Sequence, residues 1–102
     1  MNDYIEIEGK KYRVEFNWNT IANFLDAEKI PLDKLDDMSK MTANQVSSLI
    51  YSAMKEGCRK DKIDFPYVKE DFCAMLQPDD VGALIFIYQK QTTSKQLKIK
   101  KK

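Results

Sequence analysis

A chain of 102 residues, 43% of them apolar, has the length of one domain and the composition of a folded one, and three Gly and three Pro leave little for long irregular loops. The absence of His removes His-dependent triads, His-ligated metals and the commonest general base, and no run of 18 apolar residues or leader-like start indicates a membrane span or export. The formal charge of +1 conceals an acidic body: five Lys fall in residues 95–102, so residues 1–94 keep 12 basic against 16 acidic groups, a poor balance for binding duplex DNA.

Residues 4–8 (YIEIE) and 11–16 (KYRVEF) each alternate, with Gly9 and Lys10 between them, which predicts a two-stranded hairpin closed by a tight turn. Tyr12, Val14 and Phe16 share one face, matched by Ile5 and Ile7. Glu6, Glu8, Lys11, Arg13 and Glu15 fall on the outer face. A lone hairpin is marginal in water, so its apolar face must lie on helices. Asn17 or Asn19 can cap the next helix, where Trp18, Ile21, Ala22 and Leu25 keep one face and Phe24 sits on the flank. That helix should end near Glu28, since Pro31 prevents its continuation. Leu32, Leu35 and Met38 suggest one or two further turns.

Residues 42–57 (TANQVSSLIYSAMKEG) carry the plainest helix and are expected to be its central one. Val46, Leu49, Ile50, Ala53 and Met54 form one stripe, Thr42 and Gln45 have capping-box form, and Gly57 sits where a left-handed cap is wanted. Residues 58–64 (CRKDKID) read as a charged linker. Val68, Phe72, Met75 and Leu76 keep helical spacing within residues 67–76. Gln77-Pro78-Asp79-Asp80 is a helix-start signal, and the final helix should run to about Gln91. The expected fold class is α+β, mostly helical, with an N-terminal β-hairpin packed on four or five α-helices. Residues 1–94 form one domain on this reading, and residues 95–102 a disordered, Lys-rich tail.

Catalytic, cofactor-binding and metal-ligating sets are not written in the sequence. Cys58 and Cys73 lack CxxC spacing and the further partners of a zinc site; both read as reduced thiols, Cys73 as a small core residue. The acidic pairs Asp36-Asp37, Glu70-Asp71 and Asp79-Asp80 fall at helix starts or on solvated faces, where capping and the helix dipole account for them. No phosphate-cradling Gly-rich loop and no GxSxG elbow occur. A helix-turn-helix over residues 43–76 would need a shorter link than that from Gly57 to Pro66, and residues 67–76 offer only Lys69 as a base. The last helix is the oddity. Residues 81–88 (VGALIFIY) are apolar almost all the way round. Taking Val81, Leu84, Ile85 and Tyr88 as the core stripe leaves Phe86 roughly opposite and Ile87 on the flank, so the helix is either central to the core or meets another chain. Phe86 and Ile87, with Leu84 and Ala83 beside them, are the candidate partner-binding residues.

The order of these features resembles the tail assembly chaperones of long, flexible-tailed phages and related prophages. The likeness covers about residues 4–90, and the family's opening element is approximated by Gly9, Lys10, Tyr12, Val14, Phe16, Asn19, Ile21 and Phe24. It departs after the first helix, where the family often carries a Gly and this chain has Glu28-Lys29-Ile30-Pro31. The resemblance implies a stoichiometric, non-catalytic protein without cofactor, working in the cytoplasm of the bacterial host and absent from the mature virion. Such proteins coat the long, hydrophobic, helical tape measure protein before the tail tube polymerises, and are displaced as tube subunits add. In many relatives a ribosomal frameshift makes a longer form that recruits tail tube protein, and the A-rich codons of Lys100, Lys101 and Lys102 offer a place for such a slip. The last helix would then meet the tape measure protein or a second copy of the chain as a homo-oligomer, with neither nucleic acid nor membrane as a partner. The alternatives are another phage or prophage structural component, such as a tail completion or head–tail protein, and a small DNA-binding regulator.

Overall fold

The structure, a computed structural model, describes residues 3–34 and 40–94. An antiparallel hairpin of β1 (Asp3–Ile7) and β2 (Lys10–Val14) precedes four helices, α1 (Trp18–Glu28), α2 (Ala43–Lys60), α3 (Lys69–Met75) and α4 (Pro78–Ser94). This is the α+β, mostly helical architecture that the sequence predicts. Of the turns expected around Leu32, Leu35 and Met38, a 3-10 turn over residues 32–34 is described, and it leaves Leu32 exposed. Leu35, Met38 and the Lys-rich tail of residues 95–102 lie outside the described residues.

The hairpin turns at Glu8-Gly9, one residue earlier than expected. Both residues take positive φ (51° and 83°), as the tight turn that matches strand twist requires. Tyr12, Val14 and Phe16 are buried as their alternation demands, while Ile5 and Ile7 are half-buried. Glu15, placed on the outer face by the alternation, is instead buried. The chain there leaves the sheet and runs against α2: Glu15 N–H donates to the Ala53 carbonyl (3.2 Å) and the Glu15 carboxylate accepts from Arg13 Nε (3.3 Å).

Helix α2 carries the core. Its capping box is formed, with Gln45 N–H on Thr42 Oγ1 (3.1 Å) and Thr42 N–H on Gln45 Oε1 (2.9 Å). The buried face includes Leu49, Ile50, Ala53 and Met54 and continues to Cys58, so Cys58 belongs to the core and not to a linker. The helix does not stop at Gly57. The left-handed residue that closes it is Lys62 (φ 61°), with Ile63 N–H on the Cys58 carbonyl (3.0 Å) and Lys62 N–H on that of Arg59 (3.1 Å), the paired bonds of a Schellman turn. Gly57 is needed for a different reason, its contact with β2: a β-carbon there would lie 1.9 Å from the Arg13 carbonyl oxygen.

Helix α1 is capped by Asn17, whose Oδ1 accepts from Thr20 N–H (3.1 Å). Its buried face is Thr20, Phe24 and Leu25, and Trp18, expected on the core stripe, is 58% exposed. Thr20 fixes this rotation: its hydroxyl, fully buried, donates to the Glu15 carbonyl (2.5 Å), and Trp18, two residues away and so on the far side of the helix, turns outward. Val68, also expected on a core face, caps the start of α3 and stays exposed, while Phe72 on the same helix is fully buried. Phe72 and Tyr12 meet through the Phe65 ring, with centroid distances of 5.4 and 5.3 Å in edge-on geometry.

Two half-buried polar knots tie the helices together. Glu56 of α2 accepts from the side-chain amides of Asn17 (2.6 Å) and Asn19 (3.2 Å) and from two guanidinium nitrogens of Arg59 (2.8 Å each). The Arg59 bonds, opposed by burial and aided by the two asparagines, hold its carboxyl down at about 2. In the second knot Lys69 Nζ of α3 donates to Ser48 Oγ of α2 (2.6 Å), and that hydroxyl donates to the Glu28 carboxylate of α1. One polar chain therefore crosses three helices, and among the described residues no buried side-chain nitrogen or oxygen lacks a partner.

Candidate functional site

Helix α4 is the element the fold uses least. Its start is as the sequence signals: Pro78 opens the first turn, and the Asp80 carboxylate reaches back to accept the Gln77 N–H (2.9 Å). From there it rests on the other elements by one narrow stripe. Leu84 is fully buried, Ile87 is 9% exposed and Gln91 is 6% exposed, while the Tyr88 ring packs edge-on against Phe16 at 5.2 Å.

Gln91 sets the rotation of the helix. Its Oε1 accepts the Phe16 N–H (2.7 Å), and its Nε2 donates to the Val14 carbonyl (2.9 Å) and to Asp3 Oδ2 (2.9 Å). The amide thus meets the end of β2 much as a neighbouring strand would. Lys90 Nζ adds an ion pair to the other Asp3 oxygen at 2.6 Å. Burial alone would raise the Asp3 pKa, but the bonds from Lys90 and Gln91 outweigh it and leave the carboxyl below its ordinary value.

This rotation corrects two of the four candidate contact residues. Leu84 and Ile87 point into the core and are not available to a partner. The inward stripe is Val81, Leu84, Ile87, Tyr88 and Gln91, so of the expected Val81, Leu84, Ile85 and Tyr88 only Ile85 falls outside it, because the Gln91 amide must face the hairpin. Phe86 and Ala83 do face outward, Phe86 with 63% of its surface exposed. Ile85, counted with the core in the sequence reading, is 38% exposed on the opposite flank.

Each flank of α4 is a cleft. The first, of about 460 Å³, lies between β1 and the α3–α4 corner, with Phe72, Met75 and Leu76 on its floor and Ala83 at its edge. The second, of about 390 Å³, separates α4 from α2 and is walled by Phe16, Met41, Val46, Leu49 and Ile85. Leu84 lines both clefts. An outward Phe between two apolar clefts is surface suited to apolar segments of another polypeptide. Among the described residues, no three His, Cys, Asp or Glu side chains are grouped so as to hold a metal ion, and no helix is long and apolar enough to cross a membrane. Comparison with protein-family models, with characterised proteins and with solved structures finds no match to this chain. The one part of this surface that sequence reasoning missed is its polar hinge, Gln91 with Asp3. No pattern in the sequence pairs a Gln near the end of the last helix with an Asp at the start of the first strand.

Proposed function

We propose that this chain is a non-catalytic tail assembly chaperone of a long, flexible-tailed phage or prophage, which binds and masks the tape measure protein in the host cytoplasm before the tail tube polymerises. The observation that carries the proposal is Phe86, 63% exposed on a helix flanked by apolar clefts on both sides. Reversible masking of apolar helices needs apolar surface kept open on a folded body, and α4 supplies it without opening the core. The order of hairpin and helices that underlies the family resemblance supports the same reading. Tail tube protein is the second partner, through a longer frameshifted form of the chain.

The test is co-expression of the full chain with the longest helix-rich protein encoded beside its gene. A soluble complex is expected, and Phe86→Glu should abolish it while the variant itself stays folded. A neighbour that is equally insoluble with and without the chain overturns the reading. Mass spectrometry of finished particles separates the main alternative, because a tail completion or head–tail protein would be present in them and a chaperone absent.

A further inference from the structure

The first cleft is lined by successive residues of the hairpin from Ile5 to Glu8, and by no residue of β2. Neighbouring strand residues point to opposite faces, so a cleft that touches both borders the edge of the strand, here the edge away from β2. The hydrogen-bonding parity agrees. The two-residue turn at Glu8-Gly9 is closed by Ile7 and Lys10, which makes Ile5 and Tyr12 a hydrogen-bonded pair and Tyr4 and Arg13 a non-bonded one. The backbone groups of Tyr4, Glu6 and Arg13 therefore point away from the neighbouring strand. Along β2 the outward groups meet α2: the Arg13 carbonyl lies against Gly57, and just beyond the strand Glu15 N–H donates to the Ala53 carbonyl (3.2 Å). Along β1, among the described residues, no backbone hydrogen bond outside the helices and the sheet involves Tyr4 or Glu6.

We propose that this edge is a strand-addition site for an extended segment of a partner protein in which apolar residues alternate with lysine or arginine. An added strand continues the pleat, so its apolar side chains fall beside Ile5 and Ile7, over the floor of Phe72, Met75 and Leu76. The side chains between them fall on the outer face beside Glu6, which is exposed and has Lys11 opposite it on β2. A cation there completes a row of alternating charge across three strands. The cleft as a whole selects the same sign, since Glu6, Glu8 and Asp80 line it with no basic side chain. Glu8 and Asp80 act through their field alone, because Glu8 accepts the Tyr67 hydroxyl (2.6 Å) and Asp80 the Gln77 N–H (2.9 Å). A second copy fits poorly. Its β1 would bring Asp3 and Glu6 to an acidic rim, and the outer edge of its basic strand, β2, is closed by α2. The site lies beyond the proposed masking surface and does not rest on it, since Phe86 is not in its lining.

The probe is the acetylated, amidated peptide KIKVKIK, titrated into the full chain and read by NMR, with KKKKIVI as a control of equal composition and no alternation. Saturating KIKVKIK is expected to slow amide exchange at Tyr4 and Glu6 about tenfold or more, with Leu49 and Ile50 of α2 unchanged. Glu6→Lys, at an exposed edge position, should weaken binding about tenfold. Phe86→Ser should leave it unchanged, so the two surfaces fail separately. Equal binding of the two peptides, undiminished binding to Glu6→Lys, or no slowing at Tyr4 and Glu6 at millimolar KIKVKIK overturns the proposal. So does protection of these amides that rises with protein concentration in the absence of peptide, which would assign the edge to a second copy.

Discussion

The α-carbon of Gly57 lies so close to β2 that a β-carbon on it would fall 1.9 Å from the carbonyl oxygen of Arg13. Two effects of opposite sign meet here. Gly inside a helix costs about 1 kcal/mol relative to Ala, so Gly57→Ala should stabilise α2 if the helix were alone. The clash is with backbone, which no rotamer change relieves, and the strand would have to move away from Ala53 and Gly57 together. The clash should win: Gly57→Ala is expected to destabilise the protein by about 2 kcal/mol or more, seen as a lower midpoint in urea unfolding. A midpoint that rises would show that β2 can lift off α2 at little cost.

Replacing Gln91 by Leu makes α4 more apolar and keeps much of the volume, yet it should destabilise. The Phe16 N–H would lose the acceptor it has at 2.7 Å, and the Val14 carbonyl and Asp3 would lose a donor. Stranding one buried backbone group costs about 1–3 kcal/mol, more than the hydrophobic gain of a side chain already in place. Urea unfolding of Gln91→Leu should show a loss of about 2 kcal/mol.

Acid should weaken the link between α1 and α2 in a defined window. The folded-state pKa of Glu56, about 2, lies below the ordinary value of 4.5, so the carboxylate contributes its full stability above about pH 4.5. That contribution is lost as the pH falls through about 2, because the unfolded chain takes up the proton first. Thermal unfolding between these limits should fall steeply with pH in the native protein and less steeply in Glu56→Gln. Parallel curves would remove Glu56 from the acid transition.

Lys29 ends α1 in the left-handed region at φ 57°, with Ile30 N–H on the Leu25 carbonyl at 2.9 Å, so a side chain sits where the geometry favours glycine. This is the turn in which the resembling family often carries Gly. Lys29→Gly should stabilise by about 0.5–1 kcal/mol, the relief of left-handed strain less the extra entropy of an unfolded glycine. A lower melting temperature for the variant would place the favourable contacts of the lysine stem above the strain.

Two positions on α4, two residues apart, should differ sharply. Leu84→Ala empties a fully buried site and should cost about 2–5 kcal/mol in unfolding free energy. Phe86→Ser removes a side chain that is 63% exposed and should change stability by no more than about 0.5 kcal/mol. A large loss from Phe86→Ser would show that the ring is held by the monomer and is not open surface.

Local patterns in the sequence were enough for the hairpin, the capping box of Thr42 and Gln45, the Pro78 start of α4 and most of the α2 stripe. Each rests on residues a few positions apart, where backbone geometry alone relates side chain to structure. Tertiary structure decided the rest through contacts between residues distant in the chain. Helical spacing places Trp18 with Ile21 and Leu25, but the bond from Thr20 to Glu15 turns it out to solvent. A glycine at the end of an apolar stripe reads as a stop until β2 is seen lying across it. Periodicity cannot orient a helix that is apolar on nearly every side, so the face of α4 was set by a polar residue, Gln91, whose partners lie 75 and more residues earlier in the chain. The sequence by itself determined the order of strands and helices; only the tertiary structure decided where α2 ends and which way the helices face, and so left Phe86 outside and Ile87 inside.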